Sequence, residues 1–239
     1  MSTSAALVRD LSHGLMSDFS GYDFPSVVYG FDNGPPIELT RAGTLFGFVW
    51  TGTLKIQVAD NEHEIPQLRY FSIPSRTNAT LSGDARGFAV LRLDYFGLTT
   101  VGGPIEDKGR LKYIDGCSDT LLISPPMKGD PCFNLLHFPA GISQTKHTHP
   151  SIRAGLIHGG KGICLTETGA EELKPGTMFI LYPEAIHAFS TEDSNGMNLT
   201  VFHPDSDFGP THEEHPMLNR TIVDGVSARH IEEIRTKEL

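Results

Sequence analysis

The chain has no apolar run approaching the ~18 consecutive residues that a membrane-spanning helix needs. Its first twenty residues, MSTSAALVRDLSHGLMSDFS, contain no continuous apolar stretch, because Arg9 and Asp10 interrupt it, and this argues against a secretory signal. No run of five or more Lys or Arg occurs, and the net charge is -10. Phosphate backbones and anionic bilayers both demand clustered cations, so neither nucleic acid nor a membrane is an expected partner. Cysteine is scarce too. Cys117, Cys132 and Cys164 are odd in number and lack metal-type spacing, which fits small buried hydrophobes in a reducing, cytoplasmic setting better than a disulfide framework.

What remains is an ordinary globular composition, 38% hydrophobic and 20% charged over 239 residues, enough to bury a sizeable core. The 25 glycines and 16 prolines imply many turns. Leu7, Val8, Leu11 and Leu15 recur at helical spacing behind Ser2, Thr3 and Ser4, which predicts a short N-terminal helix. From Phe31 onward the pattern changes to short β-branched and aromatic runs bounded by Gly, Pro, Asn and Asp: LFGFVW (45–50), TLKIQVA (53–59), RYFSI (69–73) and FAVLRLDYF (88–96). Residues 95–130 read as a linker with one strand around LLIS (121–124).

The second half repeats this texture in CFNLLHF (132–138), AGLIHG (154–159), GICLTET (162–168), TMFILY (177–182) and MNLTVFH (197–203). SARHIEEIRTKEL then predicts a closing helix, with Ser227 as cap and Glu233 four residues before Lys237. A repeat of ~100 residues made of short strands points to an all-β chain with a pair of β-barrels or jelly rolls and short terminal helices. The expected boundaries are a helical segment over 1–30, a first barrel over 31–100, a linker over 101–130, a second barrel over 131–205 and an extension with its helix over 206–239.

The chemistry concentrates in GISQTKHTHPSIRAGLIHGG, residues 141–160. Side chains two apart on a strand share a face, so His147 and His149 can both point into a barrel, and His187 can enter from the turn after TMFILY. Three converging imidazoles suit Fe(II), Mn(II), Ni(II), Cu(II) or Zn(II).

This spacing resembles the cupin superfamily, whose first motif runs Gly, five residues, His-x-His, three or four residues, Glu, six residues, Gly. Its second runs Gly, five residues, Pro-x-Gly, two residues, His, three residues, Asn. Gly141, His147, His149, Gly160, Gly176 and His187 match, while Arg153 replaces Glu, Tyr182 replaces Pro, Glu184 replaces Gly and Thr191 replaces Asn. The first half resembles the middle strands of a cupin barrel without histidine ligands. The resemblance therefore implies a bicupin whose C-terminal barrel alone holds a metal, with His147, His149 and His187 as ligands. Cupins commonly pair through outer strands, which implies a homodimer.

Arg153 stands where the family has a carboxylate ligand. At roughly 5 Å and an effective dielectric near 20, a divalent ion and a guanidinium repel by about 6 to 7 kcal/mol. An anion must intervene, either an acid from elsewhere in the chain or the substrate, unless Arg153 swings outward to a surface acid. Three-histidine centres without a carboxylate resemble those of thiol and β-diketone dioxygenases. The resemblance thus implies an Fe(II) dioxygenase for a small anionic, chelating substrate, with Arg153 as anchor and Tyr182 as a hydrogen-bond donor. Two readings compete: a Zn, Mn or Ni enzyme without redox chemistry (isomerase, lyase or hydrolase), and a small-ligand-binding cupin without turnover. His158, at odd spacing from Arg153, is expected to face away from the site, and His137, His203, His212 and His215 flank the strands, one of them a candidate for the barrel mouth.

Overall fold

A computed structural model describes residues 6–237. Among the described residues strands dominate, and helical geometry is confined to three short 3-10 turns at Pro216–Arg220, Ala228–His230 and Glu232–Ile234. Every strand pairing is antiparallel. Nine strands between Gly14 and Gly102 form one sheet system. Its longest member, Gly43–Val58, serves two sets of neighbours: Arg69–Ser75 and Ala85–Leu93 along its first part, Asn61–Pro66 and Ala79–Ser82 along its second. The strand turns this corner at a register shift between Val49 and Thr51, followed by Gly52 at φ +76. A Cβ on Gly52 would lie 1.8 Å from the Asp84 carbonyl oxygen, so only glycine fits there.

The second half holds a seven-stranded sheet and a three-stranded sheet. Across the larger one the order is Ala6–Asp10, Thr177–Leu181, Arg153–Gly160, Met197–His203, Cys132–Phe138, Ser118–Ile123 and Leu111–Lys112. The smaller comprises Gly169–Leu173, Gly162–Thr166 and His187–Ser190. The all-β expectation holds.

The terminal helices do not. Ala6–Asp10 is a strand in register with Thr177–Leu181, and Gly14–Phe19 is a strand beside Ser26–Asp32. Leu7 packs into one cluster while Ala6 and Val8 pack into another, a period of two that the sheet edge imposes over the helical spacing. Ser2, Thr3 and Ser4 lie outside the described residues. At the other end Ser227 does accept from the Arg229 N–H, yet Ile231 at φ -116, ψ 88 breaks the helix into two single turns. Residues 6–30 are thus not helical, and the expected linker contributes Leu111–Lys112 and Ser118–Ile123 to the larger sheet.

Three apolar clusters follow from the strand alternation. One lies wholly within residues 27–93, one serves the second half, and the third joins the halves through Phe46 against Phe202 (ring centroids 5.2 Å) and Phe88 against Phe133 (5.8 Å). Ala154 and Leu156 face this joint, whereas Arg153 and Ile157 face the interior of the second half. Cys117, Cys132 and Cys164 are buried and unpaired, as free thiols in apolar surroundings are.

Candidate metal centre

Two strand-like segments bring the histidines together. His147 and His187 form an isolated antiparallel bridge, each donating its backbone N–H to the other's carbonyl at 2.9 and 3.0 Å. His149 follows two residues later on the same face, and its carbonyl accepts from the Glu184 N–H at 2.8 Å. Ring centroids are 4.4 Å apart for His147 and His187, 5.0 Å for His147 and His149, and 5.1 Å for His149 and His187. One nitrogen from each ring lies within 4.8 Å of the others, and among the described residues this is the one such group of three.

The motif departures keep the turns. Glu184 sits at φ +58, the left-handed conformation that the glycine of the family pattern adopts freely. Thr191 donates its hydroxyl to the Pro139 carbonyl and accepts from the Ile142 N–H, tying the loop that leads to His147.

The hydrogen bonds of the rings orient them for coordination. Nδ1 of His147 lies 2.8 Å from the Thr145 carbonyl, and Nδ1 of His187 lies 2.8 Å from the Ala185 carbonyl. A carbonyl only accepts, so each Nδ1 carries a proton, which leaves Nε2 as the nitrogen that can present a lone pair. Nε2 of His187 is buried without a hydrogen-bond partner. Burial, chiefly, pushes the pKa of His149 down to about 3 and that of His187 down to about 4, with Arg153 and the neighbouring imidazoles adding to the shift. Neutral imidazoles with free lone pairs are what a divalent ion requires, and the donor set fits one.

The histidines open into a cavity of about 280 Å³ between the two sheets. Phe138, Phe179, Leu181, Phe189 and Val201 give it apolar walls, and Arg153, Asp119, Asn134 and His203 also line it. His203 lies 6.5 Å from the His149 ring. It is therefore the one of the four flanking histidines that reaches the site, and burial holds its pKa well below the usual value.

Arg153 stays inside, 8% exposed. Its Nη1 donates to the Ser151 carbonyl (3.2 Å), the Ser151 hydroxyl (2.6 Å) and the Ile152 carbonyl (2.8 Å), and lies 3.7 Å from an Asp205 carboxylate oxygen. The Ser151 hydroxyl in turn donates to Asp205. Asp205, an acid of the chain outside the cavity lining, thus pairs with Arg153, while Nε of Arg153 is buried without a partner.

Tyr182 is not in the cavity. Its ring packs edge-on to Phe19 at 5.3 Å in the cluster between the halves, because it alternates with the cavity-facing Leu181. His158 faces away from the cavity as its spacing predicts, but onto Phe48 (5.2 Å) rather than solvent, and burial lowers its pKa to about 4. Asp119, Asn134 and Asp205 carry no motif. Asn134 alone left a trace in the sequence, as an amide inside the apolar run CFNLLHF.

A family model for the AraC-like ligand binding domain matches residues 139–218, a span that contains His147, His149, Arg153 and His187. No curated protein sequence matches the chain. Solved structures do. A putative glyoxylate induced protein from Pseudomonas aeruginosa has a TM-score of 0.58 at 16% identity, covering 88% of this chain and 92% of that one. A cupin 2 conserved barrel domain protein from Leptotrichia buccalis has a TM-score of 0.53 at 13% identity, covering 84% and 90%. A salicylate 1,2-dioxygenase from Pseudaminobacter salicylatoxidans has a TM-score of 0.53 at 13% identity, covering 74% and 70%. At such identities the likeness shows the fold alone, and that fold is the cupin barrel.

Proposed function

We propose that His147, His149 and His187 hold a divalent transition metal and that the chain is a cupin-type dioxygenase for a small anionic organic substrate. Fe(II) is the first candidate, with Zn, Mn or Ni as alternatives. The observation that carries this reading is the buried, unpartnered Nε2 of His187 facing two further imidazoles within 4.8 Å. Such an ion supplies Lewis acidity and, when redox-active, electrons for O2 chemistry. The rest belongs to the chain. Three neutral ligands leave the ion's charge uncompensated, which favours an anion beside it. Nε of Arg153, without a partner, can donate to that anion from the cavity wall, and the phenylalanines exclude water around it.

Metal analysis of protein purified without added metal, on wild type and His187→Ala, tests the ligand assignment. The variant is expected to lose most of the ion, and equal metal content rejects the proposal. Oxygen uptake by the Fe(II)-loaded protein with salicylate, β-diketones and other small acids then tests the reaction. A second reading, a ligand-binding cupin without turnover, draws on the match of residues 139–218 to a ligand-binding domain. Tight binding of an acid with no oxygen consumed would favour it.

A further inference from the structure

A carboxylate stands in the cavity apart from the histidines. Asp119 extends from Ser118–Ile123 and lines the space with Asn134, which extends from the neighbouring Cys132–Phe138. Both Asp119 oxygens accept from the one Asn134 Nδ2, at 2.9 and 2.8 Å. Among the described residues this amide is the only hydrogen-bond partner of the Asp119 side chain, and no cationic group lies within ion-pair distance. Burial raises the pKa of Asp119 and the Asn134 amide opposes that rise.

The pair is costly to keep. Asn134 is 8% exposed and sits where strand alternation otherwise puts Leu136 and Phe138. Facing a carboxylate, its amide must turn Nδ2 toward Asp119, and Oδ1 is left buried without a partner. An unmet buried acceptor is destabilising, and two apolar residues at these positions would pack without that cost. What the arrangement gains is a carboxylate held at a fixed place on the cavity wall. A carboxylate accepts about four hydrogen bonds, and one amide nitrogen fills only part of that capacity.

We infer that Asp119, positioned by Asn134, is a specificity-determining residue of this cavity that accepts a hydrogen bond from a hydroxyl or amino group of the ligand. The inference rests on the reading above only for the anionic end of that ligand, which gives the class as a small hydroxy- or amino-substituted organic acid. Apolar walls around Asp119 sharpen the selection, because an analogue without the donor leaves the carboxylate desolvated and unpaired.

The test is anaerobic titration calorimetry of the purified protein, metal-loaded and metal-free, with the three hydroxybenzoates and their methoxybenzoate counterparts as probes. At least one hydroxy isomer is expected to bind wild type about tenfold tighter than its methyl ether. Asp119→Leu, close in volume, should bring the pair to near equality, and the isosteric Asp119→Asn should cut the preference to about threefold or less. Metal content should be unchanged in both. A preference that survives in both variants is steric and overturns the inference. Failure of every isomer to show a preference in wild type, or to bind at all, overturns it as well. The two proposals fail separately: protein that holds no metal but shows an Asp119-dependent preference loses only the enzymatic reading. Metal-bearing protein without the preference loses only the role of Asp119.

Discussion

Asp205→Asn is the most informative single change around Arg153. The substitution keeps the shape and a hydrogen-bond acceptor for the Ser151 hydroxyl but removes the charge that faces the guanidinium. At the observed 3.7 Å and an effective dielectric near 20, the attraction amounts to about 4.5 kcal/mol. Asp205 retains 18% side-chain exposure, so water screens part of this, and removal of one member of a buried pair generally costs about 3 to 5 kcal/mol. The expected loss is therefore about 3 kcal/mol of unfolding free energy, read by urea denaturation of metal-free protein at pH 7. An Arg153→Met/Asp205→Leu double variant should recover part of it, since no charge is then left uncompensated. Metal content should fall in Asp205→Asn, because the naked guanidinium lowers the affinity of its surroundings for a cation. A change below about 1 kcal/mol with unaltered metal content would refute the claim that Asp205 neutralises Arg153 at this site.

Three further outcomes are expected. Gly155→Ala should destabilise by about 1 to 3 kcal/mol and weaken binding of small acids, because the new Cβ would lie 2.4 Å from Cζ of Phe179, a cavity wall, and 2.6 Å from the Thr200 carbonyl oxygen; thermal melts and titration calorimetry check both. Removal of residues 1–10 should lower the melting temperature and promote aggregation, since it strips Ala6–Asp10 from Thr177–Leu181 and bares an edge, which light scattering would register. Acidification should destabilise through His158: its lowered pKa means the unfolded chain binds the proton first, so stability present above pH ~6.5 declines as pH falls toward about 4. Between pH 6.5 and 5 that amounts to about 2 kcal/mol at most, and a His158→Phe variant should show a correspondingly flatter profile in denaturant midpoints.

His147 and His149 were legible together because residues two apart on a strand share a face, whereas His187, 38 residues on, was placed beside them by the spacing of the resembled family motif. The strands were legible because periodicity and turn residues are local signals. The N-terminal segment misled because Leu7, Val8 and Leu11 satisfy helical spacing over one turn, while the competing partner, Thr177–Leu181, lies far along the chain. Charge logic left an acid of the chain, the substrate or an outward swing as partners for Arg153, and nothing in the sequence singled out Asp205, which follows Met197–His203 by two residues. Asp119 and Asn134 meet only through a cross-strand contact that no motif records. Tyr182 failed by parity, one step out of phase with Leu181.

The pairing of Ala6–Asp10 with Thr177–Leu181 also sets a timetable. During synthesis the early strand leaves the ribosome about 170 residues before its partner exists, and loop closure over such a distance is slow. The first half can settle around its own buried residues meanwhile, with the leading segment waiting as an unpaired ribbon. The edge of the larger sheet is then covered only once Thr177–Leu181 has emerged to meet the strand made long before it.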